Sequence, residues 1–297
     1  MELQGQVAIV TGAGRGIGRA TALELARMGA DIVVAELDAG GADKTAALVQ
    51  DVGRRAAVIP TDVTKRTELA AMVDRTLAAF GRIDVLVNNA GIYRAASTLE
   101  ITEEHWDAIM TINAKAVFFA TQAVLPTMIA AKRGAIVSLA SMAGKVGSRT
   151  NLPYNASKAA VEQFANALRL EVAHHGVDVG SAHMSWVDTA MVRDTKTDLS
   201  TFGEMLSKLP YPVNVTTSVE KCGAAFVDGI EGRKTRVYCP RWVGALRWLK
   251  PIMSTRIGEA PIKRFVPDLL PRMDAEVVAL GRSTSAHSEA LDSPSTT

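Results

Sequence analysis

The stretch VAIVTGAGRGIG, Val7 to Gly18, decides the fold: four apolar residues run straight into a segment with glycine at 12, 14, 16 and 18. Each ordered glycine costs conformational entropy, so such a cluster calls for a ligand or chain that must approach bare backbone. The residues that follow, RATALELARMG, have helical period. The order is therefore strand, tight glycine turn, helix. The free N–H groups and positive dipole end of that helix suit a pyrophosphate, and Gly12, Gly16 and Gly18 let it come close. The spacing departs from Gly-x-Gly-x-x-Gly, and a glycine pattern alone also fits a plain strand-to-helix turn.

Working outward, short β-branched runs recur at 31–36, 56–60, 83–90, 134–141, 177–184 and 236–240. Helical segments such as ELAAMVDRTLAAFG separate them. The runs are continuously apolar rather than alternating, which suits strands covered on both faces. The pattern predicts an α/β fold, a doubly wound parallel sheet of seven strands within one domain, residues 1–240. Beyond Pro240 the alternation stops. Residues 241–280 read as a C-terminal helical extension of short pieces broken by Pro251, Pro261, Pro267 and Pro271, and the small, polar 281–297 reads as a disordered tail.

Composition narrows the partners. The 297 residues carry a net charge of +2, which gives no basis for a nucleic-acid partner. The two cysteines, Cys222 and Cys239, lack metal-ligand spacing and read as small buried residues in a reducing compartment. The five histidines form no ligand set, so no metal site is expected. The N-terminus enters its first strand without a leader pattern, and no run approaches the ~18 apolar residues of a membrane span; a cytoplasmic protein is expected.

TGAGRGIG, Asp62-Val63, NNAG at 88–91, Asn113, Ser141 and YNASK at 154–158 follow one another in order. Together they resemble the short-chain dehydrogenase/reductase family, over residues 5 to about 240. The resemblance implies a single-domain Rossmann fold that moves hydride between a nicotinamide dinucleotide and an alcohol/carbonyl pair. Gly12, Arg15, Gly16, Ile17 and Gly18 would hold the pyrophosphate, Asp62 and Val63 the adenine, and Asn89, Ala90 and Gly91 would flank the cofactor; Val187 and Thr189 would meet the carboxamide. Glu36 ends the second strand, where a carboxylate accepts the ribose hydroxyls and repels a 2′-phosphate. Arg15 could pair with that phosphate, but Leu37 adds no second base, so NAD is expected rather than NADP.

Tyr154 and Lys158 are one helical turn apart, so the ammonium should stabilise the phenolate and lower the tyrosine pKa. By resemblance Tyr154 is the acid–base group and Lys158 also holds the nicotinamide ribose. Ser141 orients the substrate oxygen and Asn113 completes a water-linked proton path. Ser138 lies within its strand and reads as structural. Where the family carries Pro-Gly after the sixth strand, this chain has Met184 and Ser185, which puts the local backbone path in question.

Residues 191–213 are expected to form a variable substrate lid, its Met, Leu and Phe side chains suited to an apolar substrate body. In 241–272, seven basic residues against two acidic, with Trp242 and Trp248, suit membrane-surface contact, packing over the substrate entrance, or a subunit neighbour. The function expected is NAD-dependent oxidoreduction of a lipophilic secondary alcohol or ketone, in a homodimer or homotetramer. The alternatives are a non-catalytic NAD-binding sensor and a lipid-bound scaffold.

Overall fold

The computed structural model describes residues 2–145, 151–253, 255, 260 and 263–280. The first unit is the strand β1 (Val7–Thr11), a glycine turn and the helix α1 (Gly16–Arg27). β2 (Asp31–Glu36), α2 (Ala39–Asp51), β3 (Ala56–Pro60) and α3 (Arg66–Phe80) complete the first half. The second half opens with β4 (Val85–Asn88), α4 (Glu103–Met110) and a π-turn, Thr111–Lys115, that runs into α5 (Ala116–Ala131). β5 (Gly134–Ser141), α6 (Leu152–Val172) and β6 (Val177–Met184) follow. The chain continues through α7 (Ala190–Asp198), α8 (Ser200–Lys208), α9 (Val219–Glu231) and β7 (Arg236–Cys239). It then forms α10 (Leu246–Met253) and α11 (Val266–Leu280).

Seven parallel strands make one sheet in the order β3-β2-β1-β4-β5-β6-β7. The unbroken apolar runs explain the two-sided cover. In β1, Ala8 and Val10 pack toward α1, α2 and α9, while Val7 and Ile9 pack toward α3, α5 and α6. Burying each such side chain contributes roughly 1.5–3 kcal/mol against chain entropy. Order β3-β2-β1-β4 also reverses the direction of winding between β1 and β4, which opens a crevice at their C-terminal ends.

Three expectations change. Residues 191–213 are not an irregular lid: α7 and α8 occupy much of the segment, and Phe202 and Leu206 are buried against Met273 and Val277 of α11. Glu276 accepts hydrogen bonds from Ser200 and Thr201, and Arg272 pairs with Glu204 at 2.9 Å, so the extension braces the cover. Pro251 lies within α10, and Pro267 and Pro271 do not break α11, while Pro261 lies outside the described residues. Pro267 sits in the first turn, where an N–H has no intrahelical acceptor, and Pro271 removes only the donor that would reach the carbonyl of Pro267. Finally, the helical run Glu103–Ala131 is long and apolar enough to span a membrane by composition. Val117, Ala120, Val124 and Met128 are nevertheless buried inside the protein, as in a core helix. The tail 281–297 lies outside the described residues.

Candidate active site

The crevice holds a cavity of about 650 Å³, with the glycine turn at one end and an apolar chamber at the other. Gly12 has φ +63°, and a Cβ there would stand 2.8 Å from Ala90 Cα; one on Gly18 would stand 2.2 Å from Gly12 O. Only glycine fits either place; Gly12 lines the cavity with bare backbone, whereas Gly18 is buried beneath it and lets the turn close on the helix. Asn89 ties this turn down by donating its side-chain amide to Thr11 O and Gly12 O, both at 3.0 Å. Thr11 Oγ1 in return accepts from the N–H groups of Asn89 and Ala90. Asn89 therefore shapes the turn and also lines the cavity, with Gly12, Arg15, Gly16, Ile17, Ala90 and Gly91.

Glu36 is placed at the rim, where one carboxylate oxygen accepts Gly14 N–H at 2.7 Å and the other accepts the N–H groups of Leu37 and Asp38. A Cβ on Gly14 would stand 2.8 Å from this side chain, so glycine there lets the carboxylate fold onto the turn. Arg15 faces the same region, and burial lowers its pKa against the pull of Glu36, Asp38 and Asp194. Asp62 and Val63 line the adjoining wall. Burial would raise the Asp62 pKa, but hydrogen bonds from Thr64 and the charge of Lys65 outweigh it and hold the carboxyl below its usual range.

At the other end α6 presents Tyr154 and Lys158 on one face. Ser141 ends β5, accepts Ala143 N–H at 3.1 Å and lines the cavity with Tyr154. Asn113, fully buried in the π-turn, accepts Ile92 N–H at 2.8 Å and donates to Ile92 O at 2.9 Å. A Cβ on Gly91 would lie 3.0 Å from Asn113 Oδ1 and 3.6 Å from Lys158 Nζ, so both groups face the same strip of bare backbone. Ser138 is buried in β5, where it accepts from Asn88 at 3.2 Å away from this cluster.

The electrostatics correct one expectation. Burial raises the Tyr154 pKa, and the neighbouring Ser141 hydroxyl only partly opposes it; Lys158 does not lower it. The reason is geometric: Lys158 Nζ donates to Leu139 O at 2.8 Å and lies 5.6 Å from the tyrosine ring centre. Burial pushes Lys158 itself down to about 8.

Val187 and Thr189 both line the cavity, and Thr189 caps α7 by accepting Val192 N–H. Its methyl group would sit 3.5 Å from a Cβ on Gly16, so the start of α7 closes on the glycine turn. The Met184-Ser185 departure is absorbed without strain. β6 stays paired through Met184, Ser185 N–H donates to Cys239 O at 3.0 Å, and among the described non-glycine residues only Lys132 and Arg233 have positive φ.

Sequence reasoning missed the aromatic wall of the chamber. Tyr93 packs edge-on against Tyr154 with ring centres 5.2 Å apart, and its hydroxyl accepts from Asn151 at 3.4 Å. Trp186 packs edge-on against Phe202 at 5.4 Å, and its buried indole N–H has no hydrogen-bond partner among the described residues. Tyr93 stands two residues past NNAG, a hydrophobic residue leaving a polar turn, which is the one local signal that could have marked it.

Known proteins resemble this chain throughout this region. The profile of the family described as short chain dehydrogenase matches residues 6–200. The 3-oxoacyl-[acyl-carrier-protein] reductase of Thermotoga maritima is 35% identical over 191 residues, 64% of this chain and 78% of that protein. The 2-dehydro-3-deoxy-D-gluconate 5-dehydrogenase of Escherichia coli is 35% identical over 209 residues, 70% of this chain and 82% of its own length. A short chain dehydrogenase from Mycobacterium paratuberculosis, solved with NAD bound, superposes with a TM-score of 0.71 at 29% identity, over 80% of this chain and 97% of that one. With a glycine-turn crevice in a seven-stranded parallel sheet and a match over 6–200, the chain belongs to the short-chain dehydrogenase/reductase family of nicotinamide-dependent oxidoreductases.

Proposed function

We propose that this protein oxidises a lipophilic secondary alcohol with NAD, or reduces the matching ketone with NADH. One observation carries the reading: Tyr154 and Ser141 line the apolar end of the same cavity whose other end is the glycine turn, and Lys158 beside them faces the bare backbone of Gly91. A dinucleotide suits the crevice because Gly12, Gly16 and Gly91 line it with backbone that carries no side chain. Gly12, Arg15, Gly16, Ile17 and Gly18 would hold its pyrophosphate, Asp62 and Val63 its adenine, and Val187 and Thr189 its carboxamide. When bound, the nicotinamide supplies the hydride acceptor at its C4.

The chain's own groups handle the proton. Ser141 donates to the substrate oxygen and fixes it beside Tyr154, whose phenolate form takes the hydroxyl proton as the carbon loses hydride. Reduction returns that proton to the carbonyl oxygen. Lys158, whose Nζ faces the bare backbone of Gly91, would hold the nicotinamide ribose. Asn113 fixes Ile92 and so the Gly91 backbone beside Lys158.

The preference for NAD is supported by Glu36, because a 2′-phosphate at that rim would meet a carboxylate held by three backbone N–H groups. The apolar substrate body is supported by Tyr93, Trp186, Phe202, Met184 and Met205 around the chamber. We place the protein in the cytoplasm as a homodimer or homotetramer. Exposed Phe118 on α5 and Leu170 on α6 support assembly through those helices, which light scattering tests. The function itself is tested by cofactor reduction with a panel of hydroxysteroids, long-chain secondary alcohols and small diols. Turnover confined to diols would reject the lipophilic reading. NAD binding without turnover of any alcohol would make the protein a sensor.

A further inference from the structure

We propose that α10 is a docking surface for an anionic lipid bilayer, and that it seats the chamber's entrance against that surface. The starting point is the sequence of this helix, LRWLKPIM. At 100° per residue, Trp248, Ile252, Leu249, Met253 and Leu246 share a continuous apolar arc, and Arg247 and Lys250 lie on the opposite side. The protein covers one edge of that arc only. Leu246 is buried, and Leu246 and Met253 line the cavity together with Phe265. Trp248 is 76% exposed, Ile252 60% and Leu249 44%. One face therefore begins inside the substrate chamber and continues into solvent.

Two features select the occupant. From Arg241 to Met253 the chain has three cations and no acidic residue. The Arg247 guanidinium lies 5.2 Å over the Trp248 ring, so a cation and the most interfacial of the aromatic side chains are presented together. A second copy packed two-fold on the same patch would bring each Arg247, held over its own Trp248, toward its counterpart, which like-charge repulsion opposes. Anionic headgroups reverse that sign, while Trp248 and Ile252 reach the acyl boundary.

The consequence for substrate delivery rests on the lipophilic reading above: an apolar alcohol or ketone would pass from the bilayer past Leu246 and Met253 into the chamber. The docking itself does not depend on that reading, because it is measured without turnover.

The experiment is co-sedimentation of the full chain with vesicles of phosphatidylcholine alone and of phosphatidylcholine mixed with phosphatidylserine. Each cation near an anionic surface strengthens binding roughly fivefold. Wild type should bind the mixed vesicles at least ~10-fold more tightly than the neutral ones, and about 0.5 M salt should abolish the difference. Trp248→Glu, at an exposed position that does not line the cavity, should weaken binding by at least ~10-fold and leave turnover of a short water-soluble ketone unchanged. Arg247→Gln with Lys250→Gln keeps the apolar face and should lose only the preference for phosphatidylserine. Equal binding of all three proteins to mixed vesicles, or no binding by wild type, overturns the proposal. So does a change of oligomeric state in Trp248→Glu without vesicle binding by wild type, which would assign the face to a second copy.

Discussion

Asn113 and Ile92 are joined twice, Ile92 N–H to Asn113 Oδ1 at 2.8 Å and Asn113 Nδ2 to Ile92 O at 2.9 Å, in a place where Asn113 has no solvent exposure. An amide is the side chain that can both accept and donate in this way. The π-turn around it is what lets α4 and α5 continue while the side chain swings toward the strand end.

Asn113→Ala should therefore leave two backbone groups without partners and cost about 2–4 kcal/mol of stability. Asn113→Asp keeps the acceptor but loses the donor, and should place a carboxylate beside the bare backbone of Gly91. Urea unfolding of both variants checks the cost. An alanine variant within about 0.5 kcal/mol of wild type would mean that the double bond to Ile92 carries no weight.

Glu36 is the residue proposed to set cofactor choice. Glu36→Ala removes the charge facing a 2′-phosphate and also frees the N–H groups of Gly14, Leu37 and Asp38. Calorimetric titration should show weaker NAD binding and a fall of at least ~10-fold in the NAD-to-NADP affinity ratio. A wild-type protein that already prefers NADP contradicts the ribose argument.

Lys158 sits near pKa 8 because burial disfavours its charge, so in the cofactor-free protein it loses its proton just above neutrality. NAD affinity of the wild type should fall as pH rises through about 8. Lys158→Met should bind NAD with roughly 1.5–3 kcal/mol less free energy at neutral pH and show no such pH dependence. Unchanged affinity in the variant would reduce Lys158 to a group that only holds Leu139 O.

His183, on β6, is fully buried among Ser181, Glu162, Lys145, Arg236 and Tyr238. Burial, then the charge of Lys145, lower its pKa to about 4 against the pull of Glu162. The unfolded chain takes up this proton near pH 6.5, whereas the folded one resists until about 4. Stability should thus fall as pH drops through that window, by about 2 kcal/mol between pH 7 and pH 5. Denaturation midpoints at the two pH values, for wild type and His183→Asn, test this; equal slopes would show that another group sets the acid limit.

Much of the architecture can be read directly from local pattern, because a strand covered on both faces must be continuously apolar, as Val7–Val10 and Ile32–Ala35 are. The Tyr154–Lys158 spacing likewise places both groups on one helical face. Long-range relationships are harder. α8 reads in isolation as part of a substrate lid, because the partners that bury Phe202 and Leu206 include Met273 and Val277, much further along the chain. The restraint of Glu36 by Gly14, and the pairing of Tyr93 with Asn151, also join segments that no local pattern connects. The charge state of Tyr154 depends on where Lys158 reaches, and Leu139 O captures it.

The central claim is that Tyr154 transfers the proton while the crevice holds the cofactor without its help. The most direct measurement is steady-state turnover of Tyr154→Phe beside its NAD affinity. The phenyl ring keeps the packing against Tyr93, so affinity should stay within about threefold, while kcat/KM for a secondary alcohol should fall by roughly 10³–10⁴. Activity retained within ~10-fold of wild type, with the same pH profile, would contradict it.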